Sequence, residues 1–253
     1  MSFRIPLASS VPLSVLCLFA LAPVARSQGP PQPPSQPAGQ PAPTVRPRMR
    51  EHFLLGAAIR DAIIHADLAA VREPAMWLAE HPQDDLPASA EGKVREMQRL
   101  SAEVAKAPDL TQAARGMARL AAACGSCHTA VKATPTLIAA MPHGEDASLA
   151  GHMRKHNRAA DLLYRGLVVP SDHSWNQGAD SLTGDPVELE LKRGSAPQPE
   201  IEALAKQLHD LAQQARKAGN PKSRSEVYGQ MLATCSQCHK QQNVVIRQGA
   251  PRG

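Results

Sequence analysis

Cys124-Gly125-Ser126-Cys127-His128 is the stretch that decides the reading of this chain, and it returns as Cys235-Ser236-Gln237-Cys238-His239. On a helix, positions i, i+3 and i+4 share one face. Two thiols and an imidazole therefore face a common ligand in each copy. C-x-x-C-H is the attachment pattern of c-type haem. The thiols become thioethers to the porphyrin, and His128 or His239 binds the iron. Of the five Cys, Cys17 lies in the N-terminal apolar segment and the other four all fall in the two motifs. Two rival readings stay open. A thiol redox C-x-x-C normally accompanies a βαβ pattern, and a four-thiolate zinc site uses pairs roughly 15–20 residues apart. Neither accounts for a His directly after both motifs.

Working outward to the start, Arg4 opens a positive region and an apolar run follows from Ile5 to Ala22, broken by Pro6 and Pro12. This reads as a secretory signal over residues 1–27, cleaved before Gln28, rather than a membrane span. Residues 28–48 carry eight prolines and form an extended spacer. Export suits the motifs, since c-type haem is attached outside the cytoplasm.

The remainder repeats itself. Met49-Arg50-Glu51-His52 matches Met153-Arg154-Lys155-His156, each well upstream of a C-x-x-C-H. The extra residues of the second copy fall in a Gly- and Pro-rich loop around Gly184 to Pro199. Each copy reads as four helices with no strand. In the first they run from Met49 to Val71, from Pro74 to His81, from Ser89 to Lys106, and from Asp109 through the motif. In the second they start at Leu149, Pro170, Pro199 and Pro221. The expectation is an all-α protein of two tandem four-helix bundles, residues 49–140 and 148–245, each folding alone with one haem. Large side chains are few and Ala is abundant, so two porphyrins would supply much of the buried apolar surface.

A four-helix arrangement with C-x-x-C-H late in the fourth helix resembles the class II c-type cytochromes, the cytochrome c′ and c556 group. The resemblance rests on architecture and motif. That family often has a basic residue four positions after the haem His; Lys132 matches, whereas Asn243 departs. It implies His128 and His239 as proximal ligands, with the first helix crossing the opposite haem face and offering Met or an apolar residue there.

In this chain that helix presents Met49, His52, Gly56, Ile59 and Ile63 on one stripe, and Met153, His156, Ala160, Leu163 and Leu167 on its counterpart. His52 and His156 stand at matched positions on apolar faces, where an unpartnered imidazole is costly. Both are candidate iron ligands, with Met49 and Met153 as alternatives. Hydrogen bonding to a propionate or carbonyl, or an open iron site, are the other readings. His65, His81, His143, His173 and His209 lack such pairing and read as surface or loop residues. Trp77 and Trp175 read as core packing or haem-edge contacts.

The formal charge of +5 comes without aromatic-interleaved basic patches, so nucleic acid is not implied. A mildly basic surface suits an acidic redox partner protein. Together these features point to an exported dihaem electron carrier, not an enzyme. The alternatives are a gas-binding haem protein with an open iron and, behind it, a haem enzyme.

Overall fold

The computed structural model describes residues 45–81, 86–133, 135, 148–183 and 199–242. They are all-helical: α1 (Val45–Ile64), α2 (Leu68–Glu80), α3 (Glu91–Ala105), α4 (Leu110–Ala130), α5 (Leu149–Val168), α6 (Asp172–Thr183), α7 (Pro199–Lys217) and α8 (Pro221–Gln241). A short 3-10 turn, Ala88–Ala90, precedes α3. The expected leader, most of the expected spacer, the expected loop from Gly184 up to Pro199 and the expected domain ends at 140 and 245 lie outside the described residues.

The helix starts follow local chemistry. Asp109 accepts from the backbone N–H of Gln112 at the head of α4. Asn220 and Ser223 form a reciprocal capping box at the head of α8, with Pro221 in its first turn. Ser148 caps α5. The first copy departs from expectation at two places. The spacer ends earlier, because Val45–Arg48 form the first turn of α1 and Pro47 is tolerated there. The expected first helix also breaks at residues 65–67. Ala66 takes φ 60°, and Asp67 then caps α2 through the N–H of Ala70. A strong cap outweighs Pro74, which sits inside α2 instead of opening it.

Consecutive helices pack in order within each copy, and the fourth also touches the first. The two copies are joined by α4 against α8, the most extensive helix pair in the chain. Small residues permit the approach: a Cβ on Gly229 would lie 3.1 Å from the Arg115 Cα and 3.4 Å from the Ala118 Cβ. The start of α8 (Pro221, Arg224) shares a cavity with the end of α4 (Gly125, Thr129). The two helices are therefore antiparallel, and their motifs stand at opposite ends, about 25 Å apart along the axis.

One buried cluster runs through both copies, from Ile59, Ile63 and Met117 to Trp175 and Leu232. Trp175 is fully buried, and its indole N–H donates to the Ala215 carbonyl at 2.8 Å. Arg60 of α1 is 4% exposed and reaches across to Asp161 of α5 at 2.6 Å and to its neighbour Asp61 at 2.7 Å. Asp161 also accepts from Arg165. Breaking one partner of such a buried set costs about 3–5 kcal/mol.

The repeat and this shared core together yield a prediction. A fragment from Met49 to Ala140 would expose the α4 face that packs on α8. It should therefore self-associate through that face, giving a dimer in analytical ultracentrifugation. A stable fragment monomer would show that the α4–α8 packing is dispensable.

Candidate functional site

Each motif occupies the last turns of its helix, and its His is held by the opposite copy. In α4, His128 Nδ1 lies 2.7 Å from the Val168 carbonyl at the end of α5. A carbonyl only accepts, so Nδ1 carries the proton and donates. The Nε2 lone pair is left to act as a ligand. In α8, the His239 ring stacks on His65 just beyond the end of α1, centroids 5.7 Å apart and planes 15° apart. The exchange is reciprocal: the first motif meets the end of α5, the second the end of α1. His65 is thus a turn residue, as expected, but half-buried against a motif instead of standing on the surface. Its spacing from the Met-Arg-x-His signature has no matching His in the second copy, so the repeat gave no signal for it.

The middle residues of the two motifs differ for a packing reason. A Cβ on Gly125 would lie 2.1 Å from the Leu167 carbonyl oxygen. Ser236 at the matching place is buried, and its hydroxyl donates to the Ala233 carbonyl at 2.8 Å.

Of the expected haem-binding residues of the first copy, His52 and Cys124 share a cavity, which His128, Cys127 and Met49 do not line. His52, Met97, Met117, Leu120, Cys124 and Tyr164 line one apolar cavity among α1, α3, α4 and α5. It encloses about 10 Å³, too little for more than one water, so the side chains meet across it. The His52 ring stands edge-on to Trp77 at 5.9 Å, and His81 stacks on the same indole at 3.6 Å. His81 is exposed, but it belongs to this cluster. Burial, then the charges of Arg48, His81 and His128, lower the His52 pKa to about 4. His52 is thus a neutral imidazole, the form that binds metals.

In the second copy, His156 lies beside His152, rings 4.3 Å apart, while the ring stacked on His239 is that of His65. Met49 and Met153 are half-buried near the starts of α1 and α5. Lys132 ends α4 in a left-handed turn at φ 54°, and Asn243 lies outside the described residues.

Sequence reading missed the tyrosines. The chain has two, and burial pushes both phenols up, with Cys124 a further cause at Tyr164 and Cys235 at Tyr228. Tyr164 crosses from α5 onto Gly56, donating to the Phe53 carbonyl at 3.3 Å; Tyr228 donates to the Ala160 carbonyl at 3.0 Å. Gly56 and Ala160 are matched positions, so each first helix receives a phenol over the same part, α1 from α5 of the other copy and α5 from α8 of its own. It arrives there from a different helix, which is why the repeat did not reveal it.

Burial raises the Cys124 and Cys235 thiols to about 12. A neutral buried thiol is a poor redox nucleophile. Among the described residues no three His, Cys, Asp or Glu are arranged to hold a metal ion. The two motifs stand at opposite ends of the α4–α8 pair, so their four thiols do not meet at one zinc ion. Neutral thiols, an imidazole with its Nδ1 engaged and an apolar lining fit covalent attachment of a porphyrin. Room for it requires the lining side chains to part. No family model, curated protein or solved structure matches the chain, so the site is read from its own residues.

Two outcomes follow for protein without haem. The lowered His52 pKa means that the unfolded chain binds a proton between pH 6.5 and about 4 that the folded chain does not. Stability should therefore fall as the pH drops through that window, by up to about 3 kcal/mol from this group. Urea midpoints against pH check it, and His52→Phe should flatten the slope. Separately, Gly125→Ala should cost about 1–3 kcal/mol by overpacking against α5, whereas Ser236→Ala should cost less. Thermal melts of the two variants make the comparison.

Proposed function

We propose that the chain is an exported dihaem c-type cytochrome that carries electrons between redox partner proteins, built as tandem four-helix haem domains fused along α4 and α8. Cys124, Cys127 and His128 would hold one haem, and Cys235, Cys238 and His239 the other. The observation that carries this reading is the first motif. Its His128 donates Nδ1–H to a backbone carbonyl and keeps Nε2 free. Its Cys124 thiol is neutral and shares an apolar cavity with the neutral His52.

The haem supplies one-electron chemistry, and the protein sets potential and access. On this reading His52 and His156, or Met49 and Met153 in their place, complete the two irons. Closure at both axial positions favours electron transfer over gas binding, because a gas must first displace a ligand. The segment from Arg4 to Ala22 supports export. No helix among the described residues is long and apolar enough to cross a membrane.

Visible spectra of the reduced, haem-loaded protein with and without carbon monoxide test the carrier reading. The native protein should be unaffected by the gas. His52→Ala should turn one haem high-spin and open it to carbon monoxide, and His156→Ala should do the same to the other. If Met49→Ala or Met153→Ala has that effect instead, Met is the ligand and the potential is higher. Carbon monoxide binding by the native protein, unchanged by all four variants, would replace the carrier with a gas-binding protein.

A further inference from the structure

The two motif histidines are not equivalent beyond their ligating atoms. His128 Nδ1 is bonded at 2.7 Å to the Val168 carbonyl. His239 Nδ1 is buried without a hydrogen-bond partner, and the group facing its ring is His65, stacked in parallel at 5.7 Å. The difference is built into the fold. Val168 ends an intact α5, and Val169 continues in extended backbone that leads the chain away. In the first copy, α1 stops at Ile64, and the turn through Ala66 is closed by its own bonds, from His65 to Asp61, from Ala66 to Ile63 and from Asp67 to Ala62. What faces the His239 ring there is the His65 ring, and among the described residues no acceptor reaches the His239 Nδ1.

A proximal imidazole that donates Nδ1–H to an acceptor is the more basic ligand, and it stabilises the oxidised iron. We infer that the two haem sites are tuned apart by this contact. The first, on His128, has the lower reduction potential. The second, on His239, has the higher, with His65 as the positioning residue that keeps an acceptor away from Nδ1. This rests on the haem reading above and adds the order of the two sites. It also gives the tandem arrangement a use, since each copy tunes the other's iron through the end of its first helix.

The test uses the full haem-loaded chain in a spectroelectrochemical titration. The native protein should titrate in two resolved one-electron steps. His65→Gln brings an amide oxygen within reach of His239 Nδ1. It should lower the higher step and leave the lower one in place, while His65→Leu should lower neither. A single unresolved step, or a His65→Gln shift of the lower step alone, would overturn the inference. A second measurement needs no variant. In ¹⁵N-histidine-labelled loaded protein, the Nδ1–H of His128 should exchange more slowly with solvent than that of His239, and equal rates for these two would overturn it. Protein that carries no haem fails the carrier reading itself, an outcome distinct from any of these.

Discussion

The approach of α4 to α8 is the constraint on which the rest of the structure depends. It requires small residues, Gly229 against Ala118 and Arg115, and an antiparallel pairing. From that pairing the positions of both motifs follow. Each C-x-x-C-H is carried to an opposite end of the pair, beyond its own copy and onto the end of the other copy's first helix. The bond from His128 to Val168 and the stacking of His239 on His65 are both consequences. A Leu-rich seam at α4–α8 would hold the helices further apart and withdraw both histidines from these contacts.

The charges at the junction serve the same arrangement. Arg60 is buried, and burial alone would drive its charge off; the carboxylates of Asp61 and Asp161 outweigh that and hold the guanidinium charged. Its reach to Asp161, and the reach of Asp161 to Arg165, tie α1 to α5 beside both tyrosines. A salt bridge of this kind adds little net stability against an apolar alternative, but it penalises any register in which it is broken. Such a penalty favours the one register in which Arg60 meets Asp161.

Much of the fold was legible in the sequence, and for identifiable reasons. Asp109 and Asn220 cap the two motif helices as their residue types suggest, and α5 keeps its expected bounds because Ser148 starts it. The failure at α1–α2 came from ranking Pro74 above Asp67, when a cap with a bonded side chain sets a boundary that a tolerated Pro does not. At the site, the motifs and the apolar stripe carrying His52 could be read from spacing, and the resemblance implied that this stripe meets the motif. His65, His81, Tyr164 and Tyr228 could not. Their roles depend on contacts between copies, on a contact between helices of one copy, or on stacking from a helix end, and none of these leaves a period in the sequence.

The account stands on two haems joined to the four motif thiols. Intact-mass analysis after acid-acetone extraction, on protein exported from cells with a haem-attachment system, tests it most directly. The account predicts a mass greater than the polypeptide by two haems, reduced to one in the Cys235→Ala, Cys238→Ala double variant. A polypeptide mass without addition, in protein that carries zinc, would contradict it.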